Sequence, residues 1–208
     1  MNNKKLPGIP FVLSGPSGCG KGTIVKELLK KYPDTFALSV SATTRAPRVG
    51  EVDGVHYYFI TREEFEHRID DQQILEYTSY CGNYYGTPKK ELYERTVSGI
   101  NVILEIEVEG AMNVRRLCPE AVLIYVLPPD AETLEARLRG RGTNTEEDIA
   151  NRLATAREEI RCLPDYDYIV INENDGAEAA ADEIVNIIAS EQHKVSRNLE
   201  NAIHFFDN

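Results

Sequence analysis

The sequence predicts an α/β protein in which a parallel sheet, flanked by helices, carries a phosphate-binding loop. Three observations predict this fold class. An apolar run at 9–13 leads into a glycine-rich loop and then into a helical pattern. Apolar strands and amphipathic helices alternate on both sides of residues 41–98, whereas residues 41–98 are themselves rich in antiparallel strand patterns. We therefore expect a parallel sheet with a strand-rich subdomain inserted into it.

The glycine-rich loop precedes a helix whose apolar residues, such as Ile24 and Leu28, share one face. Glycines allow successive backbone N–H groups to turn inward around an anion, and the helix adds the positive end of its dipole. The alternative is an ordinary strand-to-helix turn that needs glycines for tight packing. The loop residues expected to bind phosphate groups are Gly15, Pro16, Ser17, Gly18, Cys19, Gly20, Lys21, Gly22 and Thr23.

One position of this loop departs from the usual pattern. Lys21 supplies a mobile charge for the outer phosphates, but Gly22 stands where Ser or Thr usually follows, and Thr23 comes one place later. We therefore expect Mg²⁺ to rely on water and phosphate oxygens. The variant is similar to that of nucleoside monophosphate kinases rather than to GTPases or large ATPases.

The bulk composition is that of an ordinary globular protein, with 208 residues, 42% hydrophobic and 27% charged. The net charge of −11 disfavours binding to nucleic acid polymers or membrane surfaces, and no apolar run approaches the roughly 20 residues that span a bilayer. The sequence indicates no signal peptide, and its four dispersed cysteines argue against a zinc site or a disulfide framework. We therefore expect a cytoplasmic protein.

The remaining elements are predicted from periodicity and turn residues. Thr61 and Thr145 begin capping boxes, and Pro88 suits the first position of a helix. Strands are expected at 36–43, 56–60, 74–80, 101–106, 121–126 and 168–171. A loop is expected over 41–51, overlapping the end of the strand at 36–43, and a turn at 81–86. Helices are expected at 61–71, from 88 onward, and at 109–117, 131–138, 145–162 and 177–190.

Two arginines, Arg45 and Arg48, lie three apart in the loop after the second predicted strand. Guanidinium groups hold phosphate bidentately, and tyrosine hydroxyls such as those of Tyr57 and Tyr85 add donors without adding charge. Together with Glu51, these residues suit a second phosphate, separate from the one at the glycine-rich loop. The alternative is that the arginines are solvated surface residues.

Four segments then occur in a fixed order: GPSGxGK (15–21), SVSATTRAPRxGE (39–51), GNYYGT (82–87) and GRGT (140–143). In combination they resemble guanylate kinases, enzymes that phosphorylate GMP from ATP with Mg²⁺. The resemblance covers residues 8–190. It implies a core (8–40 and 99–190), a GMP-binding insert (about 41–98), a helical lid that closes over ATP (about 137–158) and a tail (191–208).

Matched residue by residue, the resemblance implies that the arginine and tyrosine cluster holds the GMP phosphate. Glu76 would read the base, because a carboxylate can accept both N1–H and N2–H of guanine, which adenine cannot offer. Ser41 and Thr87 would complete the base pocket. The implied GMP-binding residues are Ser41, Arg45, Arg48, Glu51, Tyr57, Glu76, Tyr85, Thr87 and Glu105.

The strand expected at 101–106 ends in acids. Glu105 and Glu107 are two apart, which places them on one face of a strand, where they would hold Mg²⁺ indirectly through water. The segment is similar to a family pattern of acid-Ile-Asp-x-Gln-Gly, but here Glu107 replaces the Asp and Glu109 replaces the Gln. The individual roles of the acids stay open, and the alternative is an edge strand with solvated acids.

A second group of arginines surrounds Gly140 and Gly142. The resemblance places Arg137 at ATP and two lid arginines on its phosphates, where closure would neutralise the transferring group and exclude water. The alternative is a solvated helix face paired with glutamates, and Arg139 fits that alternative better. The implied catalytic residues are Lys21, Arg45, Arg141 and Arg152.

We expect in-line transfer of the γ-phosphoryl group of ATP to GMP or dGMP. One alternative is a non-catalytic guanylate-kinase-like module that binds peptides, against which the intact Lys21 argues. Another is a different monophosphate kinase, since GKGT is also similar to adenylate kinases. The tail after 191 is expected to extend the last helix, with Leu199, Ile203 and Phe206 packing on the body or on a second subunit; monomer and homo-oligomer both stay open.

Overall fold

The computed structural model describes residues 6–140, 142 and 144–203. Its strands are β1 (Pro10–Ser14), β2 (Phe36–Leu38), β3 (Ala42–Thr43), β4 (Tyr58–Phe59), β5 (Ile74–Tyr80), β6 (Asn83–Pro88), β7 (Asn101–Glu105), β8 (Val122–Leu127) and β9 (Tyr168–Ile171). Five of them form a parallel sheet in the order β2-β7-β1-β8-β9. The remaining four form a second sheet in the order β4-β3-β6-β5. The predicted α/β class is confirmed.

Helices cover both faces of the parallel sheet. They are α1 (Lys21–Lys31), α2 (Arg62–Asp70), α3 (Lys89–Val97), α4 (Val108–Leu117), α5 (Ala131–Gly140), α6 (Glu146–Glu159), α7 (Ala177–Gln192) and α8 (Val195–Ile203), with a 3-10 helix over Ile160–Asp165. In the described part of the chain, none of these helices combines the length and the apolar character that a bilayer crossing requires.

The centre of the parallel sheet is β1, whose five residues are all buried. Its side chains alternate between two cores, as strand geometry requires. Phe11 packs in the core that contains Leu28 of α1 and Ile184 of α7, whereas Val12 packs in the core that contains Val114 of α4. A strand buried on both faces is continuously apolar, which is why the run at 9–13 stood out in the sequence.

The predicted capping box is complete at α6 and only half formed at α2. The Thr61 hydroxyl accepts a hydrogen bond from the Glu64 N–H at the start of α2, and Thr145 and Asp148 form a complete capping box at α6. Pro88 was expected at the first position of a helix but lies one residue before it, as the last residue of β6. Its fixed φ suits that cap position as well.

One strand prediction and one turn prediction around the second sheet were wrong. The segment 36–43 is not one strand, because β2 pairs with β7 in the parallel sheet and β3 pairs with β6 in the second sheet. The segment 81–86 is not one turn, because the chain reverses at Cys81 and Gly82, both with positive φ, and β6 then pairs with both β5 and β3. Asparagine and glycine suggest a turn, but pairing with two neighbouring strands outweighs that local preference.

The tail forms a separate helix rather than extending α7. α7 ends at Gln192 and α8 begins at Val195. The buried carboxylate of Glu191 accepts a hydrogen bond from the Tyr168 hydroxyl and forms ion pairs with Lys194 and Arg197. These contacts fasten the start of α8 to the body. Leu199 and Ile203 of α8 are exposed, and Phe206 lies outside the described residues.

We predict that Gly8→Ala destabilises the fold. Gly8 donates its N–H to the Thr96 carbonyl at 2.7 Å, and an added Cβ would lie 1.9 Å from the carbonyl oxygen of Ile100. The two backbone segments must therefore separate, at a cost of about 2–4 kcal/mol in the free energy of unfolding measured with urea. Gly140→Ala is the matched control, because nothing lies within 4 Å of its added Cβ. Equal stability of the two variants would contradict the prediction.

Candidate active site

The glycine-rich loop joins the carboxyl end of β1 to α1 and has a conformation that glycine alone adopts easily. Gly15 and Gly20 have φ of 147° and 96°. A Cβ on Gly15 would lie 2.2 Å from the Val126 carbonyl oxygen, and one on Gly20 would lie 2.2 Å from the Asn172 amide nitrogen. The glycines therefore serve both the turn of the backbone and its close approach to the neighbouring strand ends.

The loop is held from the side by two residues that come from distant parts of the chain. The carbonyl oxygen of Cys19 accepts a hydrogen bond from Asn172 at 2.7 Å and another from Arg137 at 3.3 Å. Arg137 also donates to the carbonyl oxygens of Asn172 and Glu173, at 2.9 and 3.0 Å. Arg137, expected to contact ATP, thus supports the loop backbone with its guanidinium group.

Lys21 is buried at the first position of α1, and its ammonium group curls back over the loop. Nζ donates to the Gly15 carbonyl oxygen at 2.5 Å and lies 3.5 Å from that of Pro16. Within the described residues it forms no ion pair with a carboxylate. The charge is therefore held against neutral carbonyl groups, from which an anionic ligand can attract it.

The group of arginines near Gly140 separates into different environments. Arg152 of α6 donates to the Ser17 hydroxyl of the loop at 2.6 Å, so α6 reaches the phosphate loop directly. Arg139 pairs with Glu135 and Glu146 on the surface, as the solvated alternative proposed. Arg141 lies outside the described residues.

Most of the residues predicted to bind GMP meet in a cavity of about 460 Å³ between the two sheets. A smaller cavity of about 260 Å³ contains Lys21. The larger cavity is lined by Arg48, Glu76 and Tyr85, and both cavities are lined by Ser41, Tyr57, Glu105, Ile106 and Glu107. The two predicted phosphate sites therefore adjoin one another.

Arg45 and Glu51 form a bidentate ion pair at 2.9 and 3.0 Å beside the larger cavity. The guanidinium carbon of Arg45 lies 5.5 Å from the centre of the Tyr57 ring. Glu51 also accepts a hydrogen bond from the backbone N–H of Arg48 at 2.7 Å. The hydrogen bonds from Arg45, and after them the one from Arg48, lower the pKa of Glu51 to about 2. The carboxylate of Glu51 therefore fixes the arginine loop, and Arg45 keeps further N–H donors free of this pair.

Glu76 on β5 is 4% exposed and lines the larger cavity. Its Oε1 accepts a hydrogen bond from the Thr87 hydroxyl at 2.7 Å, whereas Oε2 has no donor among the described residues. Burial raises the pKa of Glu76 to about 7; the hydrogen bond from Thr87 opposes this rise, and the charge of Glu109 adds to it. An unfilled acceptor thus faces a cavity able to hold a base.

The acids at the end of β7 lie where the two cavities meet. Burial raises the pKa of Glu105, Lys21 opposes that rise, and Glu107 adds to it. Glu107 is the residue before α4, so β7 has already ended and strand alternation does not relate the two carboxylates, although both line the shared space. Within the described residues, no group of three or more His, Cys, Asp or Glu side chains is arranged to hold a metal ion.

Sequence reasoning missed two residues that shape the site. Asn172 directly follows β9, and the carboxyl ends of parallel strands are where ligand sites form, so this rule could have found it. Gly110 lies in the first turn of α4, where an added Cβ would stand 3.1 Å from Oε2 of Glu76. Its requirement for a small residue depends on a tertiary contact, which no local pattern indicates.

A glycine-rich loop at the carboxyl edge of a parallel sheet, next to a second cavity lined by Arg48, defines a nucleotide-binding protein of the phosphate-loop class. A family model described as guanylate kinase matches residues 8–191. The guanylate kinase of Clostridioides difficile (strain 630) is 53% identical over 190 residues, 91% of each chain. That of Halalkalibacterium halodurans is 49% identical over 197 residues, 95% of each chain.

A solved structure agrees with these relatives. The crystal structure of guanylate kinase from Anaplasma phagocytophilum matches with a TM-score of 0.74 and 34% identity, over 97% of this chain and 96% of that chain. This chain belongs to the guanylate kinase family.

We predict that the stability of the protein depends on pH through Glu76. Its folded pKa of about 7 lies above the ordinary 4.5, so the folded state binds the proton more tightly. The contribution of this tighter proton binding to the free energy of unfolding is present in full below about pH 4.5. It is lost as pH rises through 7, which lowers the free energy of unfolding by about 2–3 kcal/mol.

Glu76→Gln removes the titrating group. Urea unfolding should show that this variant gains about 2–3 kcal/mol relative to the wild type between pH 5 and pH 8. Glu183→Gln, at an exposed position of α7, is the control and should follow the wild type. If the free energies of unfolding of Glu76→Gln and the wild type changed in parallel with pH, the prediction would be contradicted.

Proposed function

We propose that this member of the guanylate kinase family transfers the γ-phosphoryl group of ATP to GMP, giving ADP and GDP, and that it also accepts dGMP. The observation that supports this most directly is the adjoining pair of cavities, one containing Lys21 and the other containing Arg48 and Glu76. A monophosphate bound near Arg48 would face a triphosphate bound on the loop. Relatives named guanylate kinase at about half identity favour neither a peptide-binding module nor another monophosphate kinase.

In this proposal, residues 8–40 and 99–190 form the core, 41–98 the GMP-binding insert and 137–158 the lid. The second sheet, built from β3 to β6, supports an insert with its own framework. The hydrogen bond from Arg152 to Ser17 supports a lid that reaches the phosphates of ATP. Arg141 is assigned the same role from the family resemblance.

The base of GMP would bind at Glu76. With Oε1 held by Thr87, Oε2 is free to accept N–H groups from the N1 and N2 positions of guanine. Adenine offers no N–H at position 1, so it would leave a buried acceptor unpaired, which is costly. None of these contacts requires the 2′-hydroxyl of the ribose, and dGMP therefore fits the same pocket.

The phosphate of GMP would bind between Arg45, Arg48, Tyr57 and Tyr85. Glu51 acts as a positioning residue, because its bidentate pair with Arg45 fixes the guanidinium plane. The two tyrosine rings lie 6.1 Å apart at their centres with an interplanar angle of 72°. Both residues line the larger cavity, so their hydroxyls would offer donors to a phosphate there without adding charge.

Transfer between the sites needs alignment and charge neutralisation rather than a strong base, because the acceptor oxygen of GMP is already anionic. Lys21 would leave the loop carbonyls for the outer phosphates, and Arg152 would approach from the lid. The oxygen donors Glu105 and Glu107 fit Mg²⁺ held through water, which would neutralise phosphate charge when it is bound with ATP.

A coupled assay of ADP release tests the proposed function. ADP should form from ATP at a high rate with GMP, at a comparable rate with dGMP, and about 10²-fold or more slowly with AMP, since AMP cannot satisfy Glu76. ADP release that does not depend on GMP, or that is faster with AMP, would refute the proposal.

Lys21→Ala should lower kcat by about 10²–10³ or more, the scale of losing one preorganised electrostatic donor. Lys26→Ala, which removes the same charge from an exposed position of α1, should keep the wild-type rate. A wild-type rate for Lys21→Ala would show that the lysine only stabilises the loop.

A further inference from the structure

The larger cavity has an uneven distribution of charge. Four carboxylates line it, Glu76, Glu105, Glu107 and Glu109, and Arg48 is the only lysine or arginine lining it among the described residues. Glu105 and Glu107 lie towards Lys21, because they also line the smaller cavity, whereas Glu76 and Glu109 line the larger cavity alone. The end of the cavity where the base would bind therefore carries two carboxylates of its own.

Glu109 is placed beside Glu76 by the first turn of α4. The neighbouring residue Gly110 lies against Glu76, with the position of its missing Cβ 3.1 Å from Oε2. Glu109 is exposed to the cavity and makes no hydrogen bond or ion pair with any residue that the structure describes. Its carboxylate therefore has no cationic side-chain partner among the described residues, although the first turn of α4 favours a negative charge through the helix dipole. Glu109 stands where the related sequence pattern has a neutral glutamine.

The two carboxylates interact electrostatically. Burial is the main reason that the pKa of Glu76 is raised, Thr87 opposes it, and Glu109 raises it further. Thr87 of β6 contacts Glu76 directly. The titratable groups that line the same cavity are Tyr80 from β5, Tyr85 from β6, Glu109 from α4, Glu105 at the end of β7, Glu107 after it, and Arg48 and Tyr57 from the loop between β3 and β4.

We propose that Glu109 is a specificity-determining residue: its charge beside Glu76 selects a purine that presents N–H donors at positions 1 and 2, and rejects one that carries an oxygen at position 2. The inference rests on the proposed GMP site. Guanine offers N1–H and N2–H groups to this end of the cavity, whereas xanthine offers a carbonyl oxygen at position 2 and loses a ring proton more readily. A second carboxylate is thus a repulsive element against xanthine as well as an attractive one for guanine.

Glutamine at position 109 would weaken this selection. Its amide carries no charge and can donate a hydrogen bond to an oxygen at position 2, so XMP should gain more than GMP from the substitution. Glu109→Gln should also move the pH at which GMP binding weakens to a lower value, because Glu76 then ionises more easily. A purely structural role of Glu109 would change neither property.

Calorimetric titration of the full chain with GMP and XMP at pH 8 tests the proposal. The ratio of the XMP and GMP dissociation constants should fall about tenfold in Glu109→Gln, the change that one pKa unit of interaction represents. Glu109→Asp keeps the negative charge and should therefore keep most of the wild-type ratio of the XMP and GMP dissociation constants. Glu183→Gln changes the net charge equally at a distant exposed position and should match the wild type.

Repeating the GMP titrations at a series of lower pH values tests the predicted shift of Glu76. Titration of the nucleotide phosphate also affects binding, but it is the same for every variant and cancels in the comparison. In Glu109→Gln, the midpoint of the loss of GMP affinity towards acid pH should lie below that of the wild type. An unchanged XMP to GMP ratio in Glu109→Gln, or an equal fall in Glu183→Gln, would overturn the inference. If the wild-type protein bound no GMP, the proposed function and this inference would both be overturned. That outcome is visible in the wild type alone and is therefore distinct from a failure of the inference.

Discussion

The carbonyl oxygen of Cys19 accepts hydrogen bonds from Asn172 and Arg137, and this double contact is the constraint on which the site depends. It fixes a loop whose glycines leave its backbone otherwise free to move. Asn172 follows β9 and Arg137 lies on α5, so the loop keeps its form only when the edge of the sheet and a helix beyond it are assembled. The ammonium group of Lys21 is then held over the same loop by the carbonyl of Gly15.

Electrostatics divide the cleft into regions of opposite sign. A chain with a net charge of −11 binds anionic ligands only where cations are gathered and held, as Arg45 is by Glu51 and as Lys21 is by the loop. In the proposed complex, Glu76 and Glu109 would face N–H groups of the base, and Glu105 and Glu107 would face the water shell of Mg²⁺. Because these groups are partly withdrawn from water, each interaction is stronger than it would be on the surface.

Much of the fold could be predicted because its strongest signals are local. The continuous apolar strands β7 and β8, the capping residues Thr61 and Thr145 and the glycine loop before α1 each depend on a few neighbouring residues. The segments around the second sheet were predicted less well. β2 and β3 were merged, because their pairing partners β7 and β6 lie far along the chain. β6 was predicted as a turn, because its asparagine and glycines favour turns although it pairs with the adjacent β5 and the distant β3.

The sequence by itself determined the fold class, the glycine-rich loop and the residue types of the two predicted phosphate sites, since their patterns are short and their chemistry belongs to the side chains. Only the tertiary structure decided which groups meet: that Glu51 pairs with Arg45, that Arg137 supports the loop, and that Glu109 stands beside Glu76. The physical reason is that pairing and desolvation arise between segments distant in sequence, and they are set by how α4, α5 and the two sheets pack.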